Sequence, residues 1–534
     1  MHRSCIFRPL RSTHRRGVVM ILVLVVVAVI SFAIYSFAER TLLEATAARI
    51  SLDQIQRREL AASAVELSEL IIRRPDDQLA LATEPVQLDD LDDRIGSLAV
   101  VRRIPGANEV TGFGLEDESA KLNLNALPLS KSKRRSSRNR LMALPGMTLQ
   151  MAAAILDWMD HDDNVFEFGA ESSWYTSLKS PYRPRQDRFQ DLRELLLVRG
   201  VTKHLLFGED QNGNGYLDPN ENDGDLSLPA DNADGVLDRG WIQDLTLVSR
   251  EGTLTPAGDR KIRLNQPELA TLHDQLLPGF GREMASFVVA MRSRGARWPN
   301  DPPEEKSDEE ERRLERLETA RQRLQAQLGI SRRPRAPRPA DSLERDGIRL
   351  ASPAPYKVKS LLHLFGGQVR ISINNEDRIL RSPWRADPVT ISRLLPLAEQ
   401  LLTTSNRTAL EGRTNINQAS EAVLNSIPGM TPSMARSIRR LQPTSGHSTD
   451  TSWNSEAWLV ARGIMPISRL RQIAPYITVG GDVQGGIALG WFGDAPPVAA
   501  IRFLLDCSGA TRQVLVHRDL EILTHQRCGL ENQK

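Results

Sequence analysis

The chain has 534 residues, 40% of them apolar and 25% charged, with a formal net charge of +2. Length and apolar content suffice for two to four separately cored domains. A balance so near neutral argues against a nucleic-acid binder held by bulk electrostatics.

At the start, Arg3, Arg8, Arg11, Arg15 and Arg16 precede a charge-free and mostly apolar run from Val18 to Ala38. About 20 such residues cross the ~30 Å hydrocarbon core of a bilayer as a helix. The basic side stays cytoplasmic, which sends the long remainder outward. A secretory signal would put its small residues after the apolar run, whereas here Gly17 comes before it. The junction therefore resembles the processing site of a type IV pilin-like precursor, cut between Gly17 and Val18, so that the apolar segment is kept as the mature N-terminus. An uncleaved signal anchor is the alternative reading. Loss of the five leader arginines would turn the net charge from +2 to −3.

From Glu39 to Arg74 neither Pro nor Gly interrupts the chain, and Leu42, Leu43, Ile50, Ile55, Leu60, Leu67 and Leu70 recur near helical spacing until Pro75. The reading is one helix over 18–74, about 85 Å long at ~1.5 Å per residue, with a membrane half (18–38) and an amphipathic half (39–74). Most pilins carry Glu as the fifth mature residue, where it meets the amino terminus of a neighbouring subunit. This chain has Leu22 there. A buried unpaired charge is costly in lipid, so an apolar residue suits a subunit with no neighbour above it. Leu22 also reads as one more apolar anchor residue.

Residues 75–120 read as a pilin-like α/β part, with strands over Ser97 to Arg103 and again from Gly112 to Leu124. A helical domain over 121–250 follows, including helices at Gln150 to Met159 and Phe189 to Val198. A helical continuation (251–299) leads to a charged, Pro-rich linker (300–346), within which Glu304 to Gln327 reads as a solvated helix and Arg332 to Pro339 as disordered. An α/β part (347–400), a second helical domain (401–475) and a C-terminal β region (476–534) complete the chain. Cys5 falls in the leader, and Cys507 and Cys528 suit either a disulfide in an oxidising periplasm or two free thiols.

An internal repeat joins the two helical domains. Asn123-Leu124-Asn125, then Leu144-Pro145-Gly146-Met147-Thr148, Met151-Ala152 and Ile155 are echoed by Asn415-Ile416-Asn417, then Ile427-Pro428-Gly429-Met430-Thr431, Met434-Ala435 and Ile438. In each, Pro-Gly makes a tight turn and Thr caps the next helix, a helix-hairpin-helix pattern. Such hairpins often bind DNA phosphates through backbone amides. DNA-binding copies usually read Pro-Gly-hydrophobic-Gly, however, while Thr148 and Thr431 bring a Cβ to the last position.

The most specific chemical pattern is the loop from Asp210 to Glu221. Asp210, Asn212, Asn214 and Asp218 occupy positions 1, 3, 5 and 9, Gly215 position 6, Tyr216 offers its carbonyl at 7, and Glu221 stands at 12, the EF-hand spacing for Ca2+. Few acidic ligands suit extracellular calcium and a structural staple. A metal-free Asn/Gly/Asp turn is the alternative. Asp234-Gly235 and Asp238 imitate the later half of a second loop, but Ala230 stands where its first ligand belongs. Asp157, Asp160, Asp162 and Asp163 beside His161 have residue types of a metal or hydrolytic site, yet nothing pairs them with a nucleophile or phosphate loop, and no enzyme is expected. The basic run Lys131 to Arg140 reads as a solvated loop.

These features, with Glu116-Asp117-Glu118-Ser119-Ala120-Lys121-Leu122-Asn123, Ile155-Leu156-Asp157-Trp158-Met159-Asp160, Gly169-Ala170-Glu171 and Glu194-Leu195-Leu196-Leu197-Val198-Arg199-Gly200, resemble the minor pseudopilin K family of type II secretion systems. The resemblance implies an α+β fold: a pilin-like long N-terminal helix plus a small antiparallel β-sheet, with inserted helical, SAM-like domains and bound calcium. It also implies processing by prepilin peptidase, a tip complex with minor pseudopilins I and J above the major pseudopilin, an inner-membrane assembly platform, and a single-pass inner-membrane location with the bulk periplasmic. The contrasting reading is a membrane-anchored DNA-binding protein of a competence or type IV pilus-like uptake system.

Overall fold

The computed structural model describes residues 16–73, 84–91, 94–103, 111–211, 217–255, 257–299, 344–350, 354–373, 376–443, 451–493, 499–509 and 511–520. The leader before Arg16, with Cys5, the linker readings over 304–339, and Cys528 lie outside the described residues.

The expected stem is one helix, Arg16–Arg73. By length and composition it can cross a membrane. Its amphipathic half packs later than the spacing suggests: Leu42, Leu43, Ile50 and Ile55 are exposed, and burial begins at Leu60. From there Leu60, Ala61, Ala64, Val65, Ser68 and Ile72 form one buried stripe at the i, i+3/i+4 spacing of a helix face. Leu70 falls off this stripe and stays exposed.

The stripe lies on a seven-stranded sheet. Val86–Leu91, Arg94–Arg103, Thr111–Phe113 and Glu116–Asp117 come from before the helical domains, and Val483–Phe492, Ala499–Asp506 and Gln513–Asp519 from after them. All pairings are antiparallel, and the central one joins Arg94–Arg103 to Val483–Phe492, with Val101 opposite Ile487 and Gly96 opposite Phe492. Period-2 alternation sorts the side chains: Leu98, Val100 and Ala488 face the helix, while Ala99, Val101, Ile487, Leu489 and Trp491 cover the other face. Gly490 lets the helix come close, because a Cβ there would lie 2.6 Å from the Ala61 amide nitrogen and press on the Arg57 carbonyl.

Flanking ion pairs orient the stem along the sheet. Asp53 pairs with Arg94 at 2.6 Å and Arg58 with Asp519 at 2.9 Å near one end, and Glu66 pairs with Arg512 at 2.7 Å near the other. Arg512 neighbours Gln513, which is opposite Asp506, itself opposite Val483. The helical domains leave the sheet after Asp117 and return at Val483, next to the Asp117–Gln484 pairing. They therefore emerge at the sheet end far from the membrane half of the stem.

Two cores fill those domains. One gathers Leu122 to Leu245 around Trp158, Tyr175 and Trp241. The other runs from Leu264 to Ile477, so the parts read as 251–299, 347–400 and 401–475 share one interior. The short helix expected over Phe189 to Val198 is a 3-10 turn, Leu192–Leu197, started by Asp191 accepting from the Arg193 amide at 2.8 Å. The basic run expected as a loop is mostly a helix, Arg134–Leu141, in which Arg134 and Arg140 are buried.

Candidate functional site

Both Pro-Gly segments turn the chain just ahead of a helix. Gly146 and Gly429 take φ of +67° and +86°, a region that Gly enters without steric cost. Thr148 accepts from the Met151 amide at 3.2 Å and Thr431 from the Met434 amide at 3.3 Å, starting helices Leu149–Met159 and Pro432–Leu441. Pro145 and Pro428 precede the turn glycines. The Pro145 carbonyl also accepts from Trp241 Nε1 at 2.7 Å, which ties the first hairpin to the far end of its module.

Each module is closed by the same device. In the first, Leu122–Asn123 pairs in parallel with Leu245–Thr246, and Asn125 donates to the carbonyls of Phe189 (2.9 Å) and Leu247 (3.2 Å) while accepting from the Phe189 amide (2.9 Å). In the last, Thr414–Asn415 pairs in parallel with Ile477–Thr478. There Asn417 donates to Trp453 (2.9 Å) and Val479 (3.2 Å) and accepts from Trp458 Nε1 (3.1 Å).

A third copy lies between them, one that the sequence reading passed over. Ile262–Arg263 pairs in parallel with Leu402–Thr403. Asn265 donates to Val358 (2.9 Å) and Thr404 (2.7 Å) and accepts from the Val358 amide (2.8 Å). Its hairpin is Pro278-Gly279-Phe280-Gly281, where Gly281 at φ +78° breaks the helix Leu269–Arg294 in two. In all three, the closing Thr (Thr246, Thr403, Thr478) accepts from the amide two residues on, at 3.2–3.4 Å. The signal was present: Leu264-Asn265, Leu277-Pro278-Gly279 and Met284-Ala285 follow the order of the other copies.

Buried charge joins the modules to the sheet. Asp117 accepts from the Ser119 amide (2.7 Å), Asn415 Nδ2 (2.8 Å) and the Gly481 amide (2.6 Å), so one carboxylate holds the exit strand, the last module and the return strand. Burial raises its pKa, partly offset by those donors. Arg250 reaches Asp506 at 2.6 Å, and Ser420 donates to Asp244 at 2.6 Å. Lys121, which belongs to the same quoted motif, is held by Glu116 at 2.9 Å and Glu118 at 2.7 Å.

In the acidic loop, Asn212, Asn214 and Tyr216 lie outside the described residues. The loop ends are described. Asp210 and Glu221 are 1% and 2% exposed, Arg239 stands 3.4 Å from Asp210, and Glu221 accepts from the Asp218 amide at 3.1 Å. Burial, and beyond it Asp210, Asp218 and Glu209, push Glu221 up to about 7. Buried carboxylates drawn together this way fit a hard cation with oxygen ligands. Asp231 and Asp234 instead accept from nearby backbone amides in turns, and Glu209 ties the segment back by accepting from the Asp238 amide at 3.1 Å. Cys507 is buried at the end of its strand. Leu22 is exposed on the stem, and the burial of Gly17 and Val18 lies outside what the structure describes.

Residues 120–207 match the family model for the first domain of type II secretion system protein K, a span that covers the first module through the helix Lys203–Phe207. No curated protein matches the chain in sequence. Among solved structures, the GspK-GspI-GspJ complex from the enterotoxigenic Escherichia coli type 2 secretion system is 11% identical, covers 89% of this chain and 99% of that chain, and gives a TM-score of 0.35, too low a likeness to argue from. Over residues 120–207, its first module, the chain is similar to the first domain of type II secretion system protein K.

Proposed function

We propose that the chain is a minor pseudopilin at the tip of the type II secretion pseudopilus, where it initiates and caps assembly for export across the outer membrane. The observation that carries this reading is the placement of the three modules: they leave the sheet at the end remote from the membrane half of the stem. A bulky head there obstructs addition of a subunit above, while the exposed apolar stem from Val19 to Ile55 is left to lipid and neighbouring stems. The role is structural rather than catalytic. Anchorage is in the inner membrane with the head periplasmic, and the partners are minor pseudopilins I and J, the major pseudopilin, the assembly platform and prepilin peptidase. The test is co-purification of the full chain in detergent with minor pseudopilins I and J. A stable complex that Leu22→Glu weakens only modestly is expected, and absence of any complex contradicts the reading.

The loop Asp210 to Glu221 serves this head as a calcium staple. Asp210→Ala with Glu221→Ala is expected to lower the melting temperature by several degrees in calcium and to change little in chelator. An equal loss in both would show that the metal is irrelevant.

One observation keeps a second reading. The middle hairpin reads Pro-Gly-Phe-Gly, and a Cβ at Gly279 or Gly281 would meet nothing within 4 Å, so its backbone is open to a phosphate. Against it, Phe280 packs on Trp384 and the following Arg282 pairs with Asp346 at 2.6 Å. Salt-sensitive retention of duplex DNA by the purified chain would favour an uptake receptor.

A further inference from the structure

The turn of the middle module lacks the cap that the other two have. Thr148 and Thr431 each accept from a backbone amide of the helix that follows, whereas Gly281 stands at that position in Pro278-Gly279-Phe280-Gly281 and has no side chain to offer. A carboxylate from a distant segment spans the break instead. Asp346 accepts from His273 Nε2 at 2.9 Å, from Arg282 Nε at 2.6 Å and from the Ser286 hydroxyl at 2.5 Å. His273 lies in the half of Leu269–Arg294 before Gly281, and Arg282 and Ser286 lie in the half after it.

The segment that brings this carboxylate is itself well fixed. Glu344–Arg345 pairs with Ile348–Arg349 across the two turn residues Asp346 and Gly347, which take φ of +54° and +76°, the signs that a tight two-residue hairpin turn requires. Ile348 anchors the turn in the core shared by the middle and last modules, opposite Ile373. Arg345 reaches back to both oxygens of Asp274, at 3.0 and 2.9 Å.

His273 is 4% exposed, and its Nδ1 lies 3.1 Å from Asp274. An ionised carboxylate only accepts, so two such partners call for an N–H on both ring nitrogens, and only the imidazolium has both. The neutral ring can donate to one acid and must turn a lone pair on the other. The ring's charged neighbours are Asp274 and Asp346, with Arg345 and Arg282 paired to them in turn. Arg282 and Asp274 are exposed and hold little by themselves, so the buried contact of the ring with Asp346 matters most. Burial raises the Asp346 carboxyl, but Ser286, His273 and Arg282 together outweigh it and draw it down to about 2. Arg345 and then His273 hold Asp274 below the usual carboxylate range. Both acids therefore stay ionised where histidines ordinarily exchange a proton.

We infer that His273 makes the bend of the middle module depend on pH: as the imidazolium it ties the first half of Leu269–Arg294 to Asp346, and its neutral form lets the two halves part. The tie is complete in mild acid, with both acids ionised, and weakens as pH rises through the titration of the ring.

Hydrogen exchange on the full chain in detergent tests this at about pH 5.5 and about pH 8.5, read over residues 269–286 and 344–349 and corrected for the intrinsic effect of pH. In the parent chain, exchange relative to the intrinsic rate should be about tenfold slower in acid. His273→Gln keeps one donor and takes up no proton, so its protection should be the same at both pH values. Asp274→Asn, at an exposed position that leaves the fold intact, should shrink the difference to about threefold or less. Equal protection of the parent at the two pH values, or a difference that survives in His273→Gln, would overturn the inference.

Discussion

Replacing Gly490 by Val is expected to pry the stem helix from the sheet and to cost about 3 kcal/mol or more. The helix reaches the sheet over small residues: Ala61, Ala64 and Ser68 are fully buried, and a Cβ at Gly490 would stand 2.6 Å from the Ala61 nitrogen. Backbone cannot yield there as a flexible side-chain end would, so the helix must lift. Lifting exposes Leu60, Val65 and Ile72 together, at roughly 1.5–3 kcal/mol for each such side chain. The pair Arg58–Asp519 is exposed and Arg94–Asp53 partly so, and such pairs are too weak to hold it down. Urea unfolding and protease sensitivity near Arg57 measure the effect. Gly480→Ala, where a Cβ meets nothing within 4 Å, is the control expected to stay within about 0.5 kcal/mol. Equal midpoints for both variants would mean that the seam does not hold the stem.

The second large effect is expected from the three closing asparagines. Asn417→Ala leaves the carbonyls of Trp453 and Val479 and the indole N–H of Trp458 without their partner. At about 1–3 kcal/mol for each buried group left unsatisfied, a loss of roughly 3–5 kcal/mol follows. Asn125→Ala should act similarly on the first module and Asn265→Ala on the middle one. Because the first module has its own core and the other two share one, calorimetry should show Asn125→Ala lowering a transition that Asn417→Ala and Asn265→Ala leave in place. Losses below about 1 kcal/mol at all three positions would contradict the shared closing role.

The long stem could be read from the sequence because its evidence is local: an unbroken apolar run, no Pro or Gly, and Pro75 as a stop. Which face packs was not legible, since Leu42 to Ile55 and Leu60 to Ile72 have similar spacing and only the second stretch meets the sheet. The two Pro-Gly turns and the Thr caps after them were legible for the same local reason. The middle copy escaped because Gly281 stands in place of that Thr, and because residues 264–401, including the charged linker, separate Ile262–Arg263 from its closing partner Leu402–Thr403. The sheet was legible only in part. Arg94–Arg103 shows an apolar run with β-branched residues, Leu98 to Val101, but its pairing with Val483–Phe492 joins segments nearly the whole head apart. Glu171 was noticed only through the Gly169-Ala170-Glu171 resemblance, and its burial beside Asp157 and Asp160 depends on a loop closure that no periodicity reveals.

The central claim is a retained apolar stem released from a short basic leader. N-terminal sequencing of the mature chain, recovered from membranes of cells with an active prepilin peptidase, tests it most directly. The expected first residue is Val18, with Gly17→Ala leaving the leader attached. A mature chain that starts anywhere else, or an intact leader in a working secretion apparatus, would contradict it.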